Sequence, residues 1–253
     1  MHRKPIALSW SGGKDSALAL HALLRDRTVD VAALVTTVTS EYDRVSMHGV
    51  RTALLEEQAT VLGLPLHVVR IPPAATNAQY ERAMRGALQT LRERGMAAMA
   101  FGDLFLADVR EYRERLVSDT GVEALFPIWG RATGPLARRF VRDGFRAVLV
   151  CVDPRQIDVS HCGADFDDAL LEALPATADP CGENGEFHTF VYDGPMFDRT
   201  IRARRGEVVE KTGFVFCDLL PPDAAAPSSG GAVRDGTPSA YGCGYVPRNQ
   251  PLP

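Results

Sequence analysis

The apolar run Ile6-Ala7-Leu8 breaks into SWSGGKDS, residues 9–16, and a helical stretch begins at once. A strand, a glycine-rich loop and a helix in immediate succession constrain this chain more than any other feature. Two adjacent glycines let a backbone turn sharply and aim its N–H groups into one concavity, an anion-binding nest. A helix opening near Asp15 adds the positive end of its dipole. Ser11 and Ser16 can donate hydroxyls, and Lys14 supplies a point charge. Asp15 can cap the helix or help to hold a magnesium ion. The strand-to-helix turn is also where open α/β sheets bind their ligands.

Two familiar phosphate loops are excluded. The GxxxxGK[ST] pattern fails because Asp15 follows Lys14 and the upstream glycine position falls on Leu8. The GxGxxG pattern fails because Gly12 and Gly13 are adjacent and no third glycine follows. What remains is SGGxDS, the pyrophosphate loop of enzymes that cleave ATP between its α and β phosphates. Its predicted nucleotide contacts are Ser9, Ser11, Gly12, Gly13, Lys14, Asp15 and Ser16.

The first 150 residues alternate apolar strand patterns, at 6–10, 31–38, 66–71, 96–101 and 147–152, with helical patterns at 15–25, 50–62, 80–94 and 109–120. This alternation predicts an α/β fold, a doubly wound parallel sheet with helices on both faces. From about residue 126 the texture changes. Pro127, Gly130, Gly134 and Pro135 interrupt it, a short acidic helix is expected at 165–174, and short antiparallel strands at 187–192, 201–204 and 214–218. The expected organisation is an ATP-binding domain over 1–129, a smaller α+β region on the substrate side over 130–220, and a disordered tail, poor in large apolar side chains, over 221–253.

Composition narrows the function classes. At 253 residues the chain can bury a substantial core. No apolar run approaches the ~20 residues of a membrane helix, and no export signal is expected. A net charge of −4 argues against general nucleic-acid binding. The five cysteines (Cys151, Cys162, Cys181, Cys217 and Cys243) are dispersed and form no CxxC pair. That pattern weighs against a disulfide scaffold and against paired-thiolate metal sites, and a reduced cytoplasmic setting is the simplest expectation.

Three further constellations carry chemistry. Gly102-Asp103 follows the fourth predicted strand, which places Asp103 at the carboxyl edge of the sheet as a magnesium or substrate contact, or as a helix cap. His48, ahead of the second helix, can touch the nucleotide or the substrate, or simply cap that helix. The richest polar cluster lies in 179–188. There Glu183 and Glu186 flank Gly185 and converge only if the backbone turns tightly, which Gly182 and Gly185 permit. Such a pair could coordinate magnesium, could deprotonate an ammonium nucleophile, or could be an acidic hairpin. Cys181 reads as a small packing residue.

SGGKDS resembles the ATP pyrophosphatases, a superfamily that includes amide-forming ligases and tRNA-thiolating enzymes. SMHGVR (46–51), FGDLFLADVREYRE (101–114), FPIWGR (126–131) and DPCGENGEFHTFVYDGP (179–195) extend the likeness. Together they make the chain similar to the diphthine–ammonia ligase family over nearly all of residues 5–220. Asn184 stands where eukaryotic and archaeal members carry a second glycine, and GENGEFHT resembles a bacterial branch instead. The resemblance implies a Rossmann-like fold that takes ATP and Mg2+, adenylates a carboxylate and forms an amide with ammonia. It implies Lys14, Asp103, Glu183 and Glu186 as catalytic residues. It implies Asp15 and Asp103 at the metal, His48 at the nucleotide, and Gly102, Asp103, Glu183, Asn184, Gly185, Glu186 and His188 at the substrate. The expected partners are ATP, ammonia and a carboxylate acceptor, small molecule or protein side chain; a homodimer is left open. The alternatives are a tRNA-modifying relative, which the missing CxxC pairs disfavour, and a non-catalytic ATP- or AMP-binding regulator.

Overall fold

A computed structural model describes residues 3–41, 43–45 and 48–222. The strands of the first sheet are β1 (Lys4–Ser9), β2 (Val29–Thr39), β3 (Arg44–Val45), β4 (Leu66–Ile71), β5 (Ala98–Ala100) and β6 (Glu123–Leu125). Its helices are α1 (Lys14–Arg25), α2 (Thr52–Leu62), α3 (Asn77–Glu93) and α4 (Ala107–Ser118). β1 lies between β2 and β5 and is parallel to both. β4 extends the sheet beyond β2 and β6 extends it beyond β5, again in parallel, while β3 pairs antiparallel with the end of β2.

The alternation of side chains along the strands divides the core. Ile6, Leu8 and Leu34 face one side and pack with Leu20 of α1 and Leu54 of α2. Ala7, Val35 and Met99 face the other and pack with Leu88 of α3 and Leu116 of α4. A sheet covered on both faces needs apolar residues at successive positions, and Ile6, Ala7 and Leu8 are all buried.

The second part comprises α5 (Thr133–Arg142), β7 (Arg146–Val152), α6 (Asp168–Ala173), β8 (Phe187–Asp193), β9 (Arg204–Lys211) and β10 (Phe214–Leu220). Its antiparallel sheet runs β8-β7-β10-β9. Val148 and Phe190 join the core of Leu8 and Leu20, so this sheet packs through the α1 side of the first. Asp218 on β10 ties the two together by accepting from Arg44 Nη1 at 2.9 Å and Arg51 Nη2 at 2.7 Å.

Several expected elements fall elsewhere. The run at 147–152 is β7 of the antiparallel sheet, because a buried apolar strand does not state which sheet it joins. The remaining parallel strand is β6, only three residues long. α5 forms despite Gly134-Pro135, since both lie in its first turn, where a missing N–H leaves no helical bond unmade. The strand expected at 201–204 is β9, shifted toward the C terminus and largely exposed. The tail expected at 221–253 lies, from residue 223 onward, outside the described residues.

Candidate active site

From β1 the chain turns to β2 on one side, whereas β5 occupies the other. The end of β1 is therefore a topological switch point, the crevice where open α/β sheets take ligands. Ser9 closes β1 in register with Val35, residues 10–13 form the loop, and Lys14 opens α1. Gly12 has φ +79°, and a Cβ there would lie 2.7 Å from Gln58 Oε1. The hydroxyls knit the loop. Gly13 N–H donates to Ser11 Oγ at 3.2 Å, Ser16 Oγ donates to Gly13 O at 2.8 Å, and the two hydroxyl oxygens lie 3.3 Å apart.

Lys14 is 2% exposed. Its N–H donates to Thr189 Oγ1 of β8 at 3.0 Å, and its Nζ donates to Asp15 Oδ1 and Oδ2 at 2.7 and 2.8 Å. Burial alone would lower the ammonium pKa, but Asp15, Cys181 and Glu183 outweigh it and hold the pKa above its ordinary value. Lys14 is thus a fixed positive charge at the helix N-terminus, 5.7 Å from the centre of the Phe187 ring.

Three carboxylates gather here from three segments, Asp15 and Glu183 at Lys14 and Asp103 beside those two. Gly102 lets the chain leaving β5 pass against the first turn of α1, where a Cβ would sit 2.9 Å from the carbonyl carbon of Asp15. That approach brings Asp103 beside Asp15. Asp103 Oδ2 faces Arg113 Nε at 3.5 Å, an ion pair too long for a hydrogen bond, while Arg113 Nη1 donates to Tyr80 Oη at 3.2 Å. Glu183 accepts from the backbone of Leu104, and burial, with Asp15 and then Asp103 nearby, pushes its pKa up to about 8. Burial likewise raises Asp15, aided by Asp103 and opposed by Lys14.

Among the described residues no group of three or more His, Cys, Asp or Glu side chains is arranged as a metal site. The mutually repelling oxygens of Asp15 and Asp103 nevertheless fit Mg2+, a hard cation that takes one or two carboxylates and completes its shell with phosphate and water.

The acidic loop separates the two glutamates. Glu186 is 1% exposed, and both of its oxygens serve its own loop. Oε1 accepts from Asp179 N–H at 2.8 Å and Asn184 Nδ2 at 3.2 Å, and Oε2 accepts from Asn184 N–H at 2.8 Å. The structure therefore gives Glu186, expected as a catalytic residue, the position of a brace. Asp179 works beside it, accepting from Cys181 N–H at 2.8 Å, Glu183 N–H at 3.3 Å and Thr133 Oγ1 at 2.6 Å. Gly182, with φ +70°, would place a Cβ 2.8 Å from Phe187 O, whereas Gly185, with φ +83°, has open space beside it and serves the turn. Asn184 is exposed at the tip. Burial pushes the Cys181 thiol up to about 12, which leaves it protonated among its neighbours.

His48 and His188 complete the site. Their ring centroids are 4.6 Å apart, and His48 Nδ1 is 3.4 Å from Thr189 O. A Cβ on Gly13 would lie 3.1 Å from His48 Cε1. Burial drives His48 down to about 4, although the Thr189 carbonyl opposes the shift. Burial, then His48 and Lys14, drives His188 well below its ordinary value. Both are neutral imidazoles at neutral pH. Sequence reasoning missed Gln58, Thr189 and Arg113. Gln58 alone left a signal there, as a polar residue four positions after Leu54 on the apolar face of its helix.

A family model of the diphthamide synthase N-terminal domain matches residues 3–124, and one of the C-terminal domain matches residues 133–219. The chain belongs to the diphthamide synthase family. The glycine-rich loop lies in the first matched stretch and the acidic loop in the second, so the site of this diphthamide synthase family member is assembled from both. A diphthine–ammonia ligase of Schizosaccharomyces pombe is 27% identical over 128 residues. That match takes in 49% of this chain and 21% of the yeast protein.

Proposed function

We propose that this protein is an ATP-dependent carbon–nitrogen ligase that adenylates a carboxylate and forms an amide with ammonia. The observation that carries the proposal is the approach of Glu183 to the Lys14–Asp15 end of the glycine-rich loop, close enough that each shifts the other's protonation. A carboxylate oxygen of the acceptor attacks the α-phosphorus of ATP, and the bond to the β-phosphate oxygen breaks. Pyrophosphate leaves with its charge held by the loop N–H groups, the N-terminus of α1 and Lys14. Mg2+ on Asp15 and Asp103 would neutralise further charge on the phosphates.

Glu183, with a pKa of about 8, lies within about a unit of neutral pH, the range in which a general base works best. It takes a proton from ammonium, and ammonia then attacks the acyl carbon and expels AMP. The neutral rings of His48 and His188 add no positive charge that would repel ammonium.

The test is product identification from ATP, Mg2+ and a cell extract as the source of acceptor, with and without ammonium. The proposal expects AMP and pyrophosphate, with AMP release stimulated by ammonium. Formation of ADP and phosphate overturns it, and tight ATP binding without turnover would assign a regulatory nucleotide-binding role instead.

A further inference from the structure

Gln58 lies on α2, outside the glycine-rich loop, with a side chain that is 0% exposed. The indole N–H of Trp10 can only donate, and it meets Gln58 Oε1 at 2.8 Å. That contact fixes which way the amide faces. Nε2 is left to donate to Gly12 O at 3.0 Å and to Val191 O of β8 at 2.6 Å. Gly12 O also accepts Val191 N–H at 2.8 Å.

The Gly12 carbonyl is thus held from two elements at once. In a trans peptide the C=O and the following N–H point in opposite directions. Turning the Gly12 carbonyl toward α2 and β8 therefore turns the Gly13 N–H away from them, where Ser11 Oγ accepts it at 3.2 Å. The φ of +79° at Gly12 is part of that arrangement, and glycine adopts it without a steric penalty.

We propose that Gln58 is a positioning residue of the phosphate-binding loop. With Val191 it locks the Gly12–Gly13 peptide so that the N–H, rather than the carbonyl oxygen, lies on the Ser11 side of the loop, where a bound anion can share it with Ser11 Oγ. This inference rests on the phosphate reading of the loop. Gln58 touches no reacting atom. Its effect falls on the ligand's terminal phosphates and not on adenosine. A flipped peptide would present a partial negative charge to pyrophosphate, so loss of the lock weakens binding both by a missing donor and by repulsion.

The experiment measures calorimetric affinities of the full chain for ATP, inorganic pyrophosphate and AMP, each with Mg2+, alongside thermal melts. Gln58→Leu keeps much of the buried volume but removes the amide. It is expected to weaken ATP and pyrophosphate roughly 10- to 100-fold, the worth of a hydrogen bond to a charged group, while AMP changes about twofold or less. Trp10→Phe, which removes only the donor that orients the amide, is expected to give the same selectivity with a smaller loss, and it carries the test if Gln58→Leu does not fold. Equal losses for all three ligands, or a lower melting temperature with unchanged affinities, overturn the inference. Wild-type protein that binds neither ATP nor pyrophosphate would instead overturn the phosphate reading, and the role of Gln58 with it.

Discussion

The two loops of the site are built in opposite ways. The glycine-rich loop is knit by its serine hydroxyls and is fixed from outside by Gln58 of α2 and by Thr189 and Val191 of β8. The acidic loop is held from within, by Asp179 and Glu186 accepting its own backbone N–H groups. In the first, the serine hydroxyls serve the loop itself, and Lys14 pairs with Asp15 at the start of α1. In the second, two of three carboxylates are structural, and Glu183 is the one left facing the other loop. A motif rich in acids can thus owe most of them to its own folding.

The largest effect that would break this contrast is expected at the nucleotide end. Lys14→Ala removes the buried charge at the start of α1 and should lower ATP-dependent AMP formation about 10²–10³-fold or more, measured by product chromatography. Next, Glu183→Gln should lower ammonium-dependent AMP release roughly 10²-fold without unfolding the chain.

Glu183→Gln also has a stability signature of definite sign. The folded pKa of about 8 lies above the ordinary glutamate value of 4.5 that the unfolded chain has, so the folded state binds more protons between the two and wild-type stability falls as pH rises through that window. The melting temperature should therefore decline from about pH 5 to about pH 8 in the wild type and decline less in Glu183→Gln.

Glu186→Gln should do the reverse of Glu183→Gln. It turns a buried NH2 toward N–H donors of its own loop, costing about 1–3 kcal/mol of stability in denaturant melts, with a smaller loss of turnover in the folded protein. Equal catalytic losses in the two variants would erase the distinction between them. Thr189→Val, which removes the acceptor for Lys14 N–H, should be the mildest, at about 1 kcal/mol.

How much of this could be read in advance follows the same division. The β1–loop–α1 unit was legible because pattern and chemistry are local: an apolar run, two glycines and a helix within a few residues. The burial of Ile6, Ala7 and Leu8 in a sheet covered on both faces was legible for the same reason. β6 was not, because three residues carry no period, and β9 was expected too early in the chain, because a largely exposed edge strand of mostly charged residues shows no apolar alternation. The run that forms β7 was recognised as a strand and placed in the wrong sheet, since its burial is the same in either. In the site, Glu183 and Glu186 have nearly the same sequence surroundings. Only the turn through Gly182 and Gly185 sends one carboxylate toward Asp15 and folds the other back onto Asp179.

The division of labour between the loops is tested most directly by pyrophosphate–ATP exchange, run with extract as the acceptor source and ammonium withheld. Adenylation is reversible until the amine arrives, so labelled pyrophosphate should enter ATP in the wild type, should persist within a few-fold in Glu183→Gln, and should vanish in Lys14→Ala. Exchange lost equally in Lys14→Ala and Glu183→Gln, or absent from wild-type protein that turns over ATP, would contradict the account.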